Sequence, residues 1–213
     1  MSDFDSAIDV AVVDIGVSNI ASVTNALFEL GYNPIVVSES QSISRAQRLI
    51  LPGNGSFRVA SERLFKFGWI QAINEFALTQ RPILGICLGM QMLASFGEED
   101  GISEGLNLIP GVSRRLSADG LRLPHVGWNA VNQVKAHIIF DGIKQDRDFY
   151  FSNSYALEPT TESCVVGKTE YGATFTSVVG SRNVVGVQFH PEKSQKNGLK
   201  LLSQFMKWDG KAD

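Results

Sequence analysis

The sequence is poor in cysteine, with only Cys87 and Cys164 among its 213 residues, and these two do not form a CxxC pair. Such usage provides neither the paired spacing of zinc sites nor the framework of disulfide-rich secreted domains. We therefore expect a protein of a reducing compartment without a metal site. A cysteine in a reactive setting would then be a candidate nucleophile.

The sequence also lacks an excess of positive charge, since 19 Lys and Arg stand against 22 Asp and Glu. A nucleic-acid-binding surface needs cationic side chains to neutralise phosphates, so nucleic acid is not an expected partner. No apolar run approaches the roughly 18 residues of a membrane span, and the N-terminus lacks the apolar core of a secretory signal. We expect a cytoplasmic protein without a membrane partner.

The sequence does contain enough apolar material for one sizeable core, because 44% of its residues are hydrophobic. We expect a single domain over residues 1–213, with residues 1–7 as an N-terminal extension. Apolar runs predict strands at 8–13, 34–38, 48–51 and 82–86, and helical periodicity appears at 20–30 and 60–78.

Beyond about Gly101, shorter segments rich in β-branched and aromatic residues predict further strands. They lie at 128–134, 149–152, 165–170, 174–179 and 184–189. Ser194 then precedes a final amphipathic helix. The whole pattern predicts an α/β fold, a three-layer sandwich with a mostly parallel central sheet and antiparallel additions in the C-terminal half.

Cys87 lies within Gly85-Ile86-Cys87-Leu88-Gly89, directly after the strand predicted at 82–86 and before a helical segment. This is the pattern of a nucleophile elbow, in which glycines permit a tight strand-to-helix turn. The N-terminus of the helix favours a thiolate, and the N–H of Leu88 would point to where an oxyanion forms. A buried structural cysteine beside closely packed glycines explains this motif alone equally well.

His190 is the best candidate for a base, because it follows the apolar strand 184–189 at the sheet edge where open α/β proteins place their sites. Glu192 lies two residues later, across Pro191, and could orient the imidazole. The segment 51–55, Leu-Pro-Gly-Asn-Gly, follows another predicted strand and could supply a second oxyanion donor. A satisfied strand-end histidine, a solvated glutamate and an ordinary turn are the structural alternatives.

The other histidines and the second cysteine have simpler interpretations. His125 is interpreted as an interface or structural residue and His137 as a surface or strand-end residue. Cys164 opens an apolar segment and is interpreted as a small core residue.

Three of these segments resemble the motifs of the class I, or triad-type, glutamine amidotransferases. They are GICLGMQML at 85–93, LPGNGSF at 51–57 and VQFHPEKS at 187–194. Three more resemble segments of the glutaminase subunits of imidazole glycerol phosphate synthase, namely PHVGWN at 124–129, EGLNLIPG at 104–111 and TEYG at 169–172. The resemblance covers most of the chain.

The resemblance implies that Cys87 attacks the side-chain carbonyl of L-glutamine, that His190 acts as base and then as acid, and that Glu192 orients it. A γ-glutamyl thioester would then be hydrolysed to glutamate, with no cofactor. The implied oxyanion hole uses the backbone of Leu88, Gly53 and Asn54. The implied glutamine-binding residues are Gly55, Gln91, Glu99, Ser154 and Tyr155.

By the same resemblance, ammonia passes through an internal tunnel to a (β/α)8-barrel cyclase subunit. The two subunits would form a heterodimer that makes imidazole glycerol phosphate in histidine biosynthesis. The implied interface residues are Pro124, His125, Trp128, Asn129 and Lys193.

Three positions depart from the family pattern and leave the triad intact. Asn153 stands where the family usually has His, Asn54 replaces a common Val, and Ser18 replaces a usual glycine. These departures keep open a related glutaminase that feeds the amidation of surface-polysaccharide sugars. The glutaminase of pyridoxal phosphate synthesis, which shares the class and approximate size, is a second enzyme alternative, and the segment PHVGWN argues against it. A non-catalytic scaffold with the related fold is the alternative from another class.

Overall fold

The structure is a computed structural model that describes residues 8–16 and 19–211. The extension predicted at residues 1–7 and the departure at Ser18 lie outside the described residues. Within the described ranges, no helix is both long enough and apolar enough to cross a membrane.

The first half of the chain alternates strands with helices, as predicted. The strands are β1 (Val10–Val13), β2 (Pro34–Val37), β3 (Leu49–Gly53) and β4 (Ile83–Cys87). The helices are α1 (Ile20–Glu29), α2 (Phe57–Lys66), α3 (Trp69–Leu78) and the short α4 (Leu88–Met92), which begins directly after β4. Gly31 follows α1 with a φ of 84°, a left-handed conformation that glycine commonly adopts just after the end of a helix.

The second half is dominated by strands. They are β5 (Phe96–Gly97), β6 (Ser103–Glu104), β7 (Gly111–Arg115), β8 (His125–Gln133), β9 (Arg147–Asn153), β10 (Tyr155–Pro159), β11 (Val165–Tyr171), β12 (Ala173–Ser181) and β13 (Val184–Val187). A single turn of 3₁₀-helix at Pro191–Lys193 leads to the last helix, α5 (Gln195–Lys207).

The main sheet has the strand order β2-β1-β3-β4-β13-β12-β11-β8-β9. Its first five strands, β2 to β13 in that order, pair in parallel, and the remaining four pair antiparallel. This confirms the predicted parallel centre with antiparallel additions. Because β3, β4 and β13 are parallel neighbours, their carboxyl ends meet at one sheet edge.

Helices cover both faces of this sheet and make the three predicted layers. On one face, Phe57, Trp69 and Ile73 of α2 and α3 pack with sheet residues such as Leu49. On the other, α1 and α5 pack against the sheet through buried residues that include Leu27, Leu202 and Phe205. Apolar residues of β1 alternate between the two clusters, since Ala11 and Val13 lie in the first and Val10 and Val12 in the second.

The structure differs from the predictions in two details. The helical segment predicted at 60–78 is two helices, because Gly68 adopts a left-handed conformation with a φ of 70° between them. A separate four-stranded sheet, with the order β10-β7-β5-β6, lies beside the main one. Two of its strands have only two residues each, too few to show a periodic pattern in the sequence.

Candidate active site

Cys87 ends β4 in a backbone conformation that non-glycine residues seldom adopt, with φ 54° and ψ −109°. Such strain persists only where the surrounding structure enforces it. Here the turn is packed too tightly for side chains at its glycines. A Cβ on Gly89 would lie 1.7 Å from the carbonyl oxygen of Leu51, and one on Gly85 would lie 2.7 Å from the Gly89 oxygen. The glycines therefore serve the close packing expected of an elbow.

Gly53 is the direct neighbour of Cys87 in the parallel pairing of β3 with β4. A Cβ on Gly53 would lie 2.9 Å from the backbone nitrogen of Gly89 and 2.7 Å from Cβ of Leu88. Leu88 is the first residue of α4, so its N–H has no acceptor within the helix. The structure thus brings Gly53, at the end of β3, against the elbow, and the oxyanion role of Gly53 and Asn54 stays a prediction.

His190 and Glu192 form a buried pair, with 2.8 Å between Nδ1 and Oε1. Their side chains are only 3% and 1% exposed. The 3₁₀ turn at Pro191–Lys193 places the carboxylate beside the ring, and its Lys193 N–H donates to the His190 oxygen at 3.1 Å. The two residues therefore form a buried, hydrogen-bonded pair. Glu192 is not a solvated glutamate, and His190 is more than a strand-end histidine bonded only through its backbone.

Neighbouring elements hold the backbone of His190 in place. Its N–H donates to the carbonyl oxygen of Tyr150 on β9 at 2.8 Å. The Ser194 hydroxyl donates to the His190 oxygen at 2.6 Å and accepts from the Tyr150 N–H at 2.9 Å. Ser194, predicted only as the residue before the last helix, therefore ties the turn to the sheet.

The electrostatic environment keeps the imidazole protonated. Burial lowers the pKa of His190, but the nearby Cys87 sulfur and the Glu192 carboxylate outweigh it and raise that pKa to about 10. Nδ1 is occupied by Glu192, whereas the buried Nε2 makes no hydrogen bond to any described residue. Nε2 is thus the nitrogen left for proton exchange with a bound molecule.

A chain of buried amides also reaches the cysteine. Nε2 of Gln188 donates to Sγ of Cys87 at 3.7 Å, and its Oε1 accepts from Nε2 of Gln91 at 3.2 Å. Gln91 Nε2 also donates to the Tyr155 oxygen at 2.9 Å, as does Nδ2 of Asn153. Gln91 and Tyr155 are therefore linked to Cys87 by hydrogen bonds, and their contact with glutamine stays a prediction, while Gln188 is a neighbour of Cys87 that sequence reasoning missed. Its presence within VQFHPEKS was the available signal.

The other residues predicted to bind glutamine are Glu99, Ser154 and Gly55, and the first two form hydrogen bonds with other segments of the chain. Oε2 of Glu99 accepts from the N–H of Phe57 at 2.6 Å, so this carboxylate caps the start of α2 at the end of the predicted oxyanion segment. The Ser154 oxygen accepts from the Leu116 N–H at 2.9 Å. Gly55 is exposed, with a φ of 128°.

The predicted interface residues divide into exposed and buried groups. Trp128 is 48% exposed and packs edge-on to Tyr150 at a ring distance of 6.1 Å. Nζ of Lys193 lies 5.7 Å from the same Tyr150 ring. Pro124 is exposed, and Nδ2 of the half-buried Asn129 donates to the Glu170 oxygen at 2.8 Å.

His125 is only 3% exposed, which leaves it almost no surface for a partner. Its ring stacks on Tyr171 at 4.0 Å and on Phe151 at 5.0 Å, and burial lowers its pKa. It is therefore a structural residue of β8, the second of its two predicted roles. His137 is also structural, since its Nδ1 accepts from the Ile139 N–H at 3.3 Å. Cys164 packs against the core, as predicted.

Comparison with known proteins gives consistent matches along the chain. The family model "Glutamine amidotransferase class-I" matches residues 11–208. Subunit HisH of imidazole glycerol phosphate synthase from Desulfitobacterium hafniense is 42% identical over 199 residues, covering 93% of this chain and 94% of that protein. The HisH subunit from Moorella thermoacetica is 44% identical over 196 residues, covering 92% and 93%.

Solved structures share the fold at low sequence identity. The structure of PurLQS from Thermotoga maritima matches with a TM-score of 0.74 at 18% identity, covering 93% of this chain and 97% of that one. A structure described as a glutamine amidotransferase matches with the same TM-score at 16% identity, again over 93% and 97%.

Proposed function

This chain belongs to the class-I glutamine amidotransferase family, and we propose that it is the glutaminase subunit of an imidazole glycerol phosphate synthase. It hydrolyses L-glutamine in the cytoplasm and delivers the ammonia to a (β/α)8-barrel cyclase subunit, for histidine biosynthesis. One observation carries the chemical part of the proposal. The strained Cys87 and the buried His190–Glu192 pair, 103 residues apart in sequence, follow the ends of the paired strands β4 and β13, and His190 interacts electrostatically with Cys87.

The first half of the reaction transfers the glutamyl group to the enzyme. The Cys87 thiolate attacks the side-chain carbonyl carbon of glutamine, and the carbonyl oxygen takes up the negative charge. Protonated His190 then gives its Nε2 proton to the amide nitrogen, so that the C–N bond breaks and ammonia leaves. The high pKa of His190 keeps this acid charged at neutral pH.

The second half returns the enzyme to its starting state. Neutral His190 takes a proton from water, and the resulting hydroxide attacks the thioester carbon. The C–S bond breaks, which releases glutamate and restores the thiolate beside a protonated imidazole. Glu192, bonded to Nδ1 at 2.8 Å, keeps Nε2 directed at the reacting atoms in both halves.

The oxyanion that forms in each half needs N–H donors. Leu88 and the Gly53–Asn54 segment supply these in the proposal, supported by the direct pairing of Gly53 with Cys87. In other enzymes, loss of one such donor costs about 3 kcal/mol of transition-state stabilisation. The NH₂ group of Gln91 is paired with Tyr155 and Gln188, so its side-chain oxygen is the atom that we assign to the substrate.

The partner assignment rests on the HisH relatives and on the surface beside the triad. Trp128 and Val126 of β8 are 48% and 57% exposed, and Tyr150, whose ring centre lies 6.5 Å from that of His190, adjoins them. Exposed aromatic residues of this kind are typical anchors of protein interfaces. Lys193, next to the catalytic turn, completes the surface that we assign to the cyclase.

The test is reconstitution with a cyclase barrel and its ribulose-phosphate substrate. Cys87→Ser should abolish glutamine-dependent synthesis but support synthesis from added ammonium salts, because the cyclase remains intact. Cys164→Ser, the matched control, should keep both activities.

Glutamine hydrolysis by the Cys87→Ser protein would refute the triad. Productive pairing only with the barrel of pyridoxal phosphate synthesis, or with a sugar-amidating synthase, would refute the histidine pathway. Failure of every barrel to elicit hydrolysis, with no labelling of Cys87 by a glutamine-mimicking diazo-ketone, would favour the scaffold.

A further inference from the structure

Gln188 is a fully buried polar residue at the nucleophile, with 0% exposure. The residues on either side of it, Val187 and Phe189, are apolar and equally buried. Burying an amide is costly unless its polar atoms are paired. Here the only partner of its Nε2 among the described residues is the sulfur of Cys87, at 3.7 Å.

The orientation of the Gln188 amide follows from a neighbouring backbone oxygen, which can only accept hydrogen bonds. The backbone oxygen of Tyr155 can only accept, so Gln91 must direct its NH₂ group towards it. The same NH₂ group also meets Gln188, which must therefore present its oxygen to Gln91. The NH₂ group of Gln188 is thereby left facing Cys87.

The amide N–H of Gln188 bonds more strongly to the thiolate of Cys87 than to its thiol. A neutral thiol is a weak hydrogen-bond acceptor, whereas a thiolate accepts a charge-assisted bond of about twice the strength of a neutral one. The contact therefore strengthens when Cys87 ionises. It also favours the second half of the reaction, in which the sulfur must leave the thioester as a thiolate.

We propose that Gln188 is a further catalytic residue, whose amide N–H stabilises the Cys87 thiolate, and that Gln91 orients it for this purpose. The proposal rests on the function proposed above, because it assigns Gln188 a part in the same reaction. It goes beyond the triad by giving the sulfur a neutral, permanent donor in addition to the imidazolium of His190.

The test is the pH dependence of Cys87 alkylation by iodoacetamide, followed by mass spectrometry of the peptides. Gln188→Met removes the donor with little change of volume, and Gln188→Glu places a carboxylate of the same shape beside the sulfur. Cys164, in the same molecules, is an internal reference. Gln204→Met is the matched control, since Gln204 is another buried amide, 5% exposed, bonded to the Asp141 oxygen at 2.8 Å.

We expect the alkylation midpoint of Cys87 to rise by about one to two pH units in Gln188→Met, the range of a hydrogen bond to a charged group. The rise should be larger in Gln188→Glu, because a negative charge opposes the thiolate. Cys164 and the Gln204→Met protein should keep wild-type midpoints. Thermal unfolding of each variant shows that the folded protein is being measured, and if one Gln188 variant does not fold, the other decides.

A Cys87 midpoint that stays at the wild-type value in the Gln188 variants would overturn the proposal. An equal rise of the Cys87 midpoint in Gln204→Met would also overturn it, because the loss of any buried amide would then have the same effect on the site. Alkylation requires no glutamine, so this result is independent of the proposed function. If the wild-type complex hydrolyses glutamine but the Cys87 midpoint does not move in the Gln188 variants, only the role of Gln188 is refuted. If the midpoint moves in these variants but the wild-type complex hydrolyses no glutamine, the proposed function is refuted.

Discussion

The Glu192→Gln substitution tests whether the buried carboxylate sets the protonation state of the base. The replacement keeps the shape of the side chain and an oxygen near Nδ1 of His190, but removes the negative charge at 2.8 Å. Burial lowers the pKa of His190, while Cys87 and Glu192 raise it, to about 10 in the native protein. Loss of one raising contribution must therefore lower this pKa.

The magnitude follows from the strength of the lost bond. A hydrogen bond to a charged group contributes about 1.5–3 kcal/mol, which corresponds to about one to two pKa units. His190 acts as an acid only while it is protonated, so the activity falls as the pH rises through its pKa. The alkaline limb of kcat/KM should lie near pH 10 in the wild type. In Glu192→Gln it should lie at about pH 8–9.

The assay is glutamate release in the reconstituted complex, measured across the pH range with saturating cyclase. At neutral pH we also expect kcat to fall by up to about 10⁴-fold, the loss seen when the orienting carboxylate of another triad is replaced by an amide. Glu162→Gln is the matched control, because Glu162 forms an ion pair of 2.7 Å with Lys168 but is 78% exposed. It should leave both the rate and the limb unchanged.

An alkaline limb at the wild-type position in Glu192→Gln would refute the reasoning, whatever the loss of rate. The carboxylate would then act only on the orientation of the ring. A limb that moved equally in Glu162→Gln would show a general effect of net charge instead.

Three further substitutions test other parts of the site. Ser194→Ala removes the acceptor of the part-buried Tyr150 N–H and one hydrogen bond to the His190 oxygen. Urea unfolding should show a loss of about 1–3 kcal/mol, and kcat should fall. Gly89→Ala places a Cβ 1.7 Å from the Leu51 oxygen, so we expect about 1–3 kcal/mol of destabilisation and a lower rate of glutamine hydrolysis. Trp128→Ala should weaken cyclase binding by about 2 kcal/mol or more in calorimetric titration, while Cys87 alkylation in the free subunit stays at the wild-type rate.

The central sheet was predictable because each of its strands leaves a local pattern in the sequence. Buried parallel strands appear as short apolar runs, and the glycines around Cys87 mark a turn that few other residues permit. His190 and Glu192 could be selected because there are only three histidines and one has a carboxylate two residues away. The break at Gly68 was less visible, since apolar residues continue on both sides of it.

The parts that escaped prediction depend on contacts between distant segments. Gln188 lies 101 residues from Cys87 in sequence, and nothing local shows what faces its amide. The capping of α2 by Glu99 joins positions 42 residues apart. The sequence therefore shows that residue 99 is acidic but does not show which N–H group it binds. His125 appeared equally suited to an interface or to the interior, and only the surrounding rings of Phe151 and Tyr171 decide between the two.

The segment after β13 shows why the base and the amide donor come from one stretch of chain. Gln188 and His190 both interact with Cys87, while Phe189 between them stacks on Phe149 at 4.1 Å in the core. Alternate residues of an extended chain point to opposite sides, so one buried aromatic residue fixes the direction of both polar neighbours. A one-residue insertion before Gln188 would exchange these sides, bury a polar group in the apolar cluster and turn both groups away from the sulfur. The spacing of Gln188, His190 and Glu192 is therefore as much a requirement of the site as their chemistry.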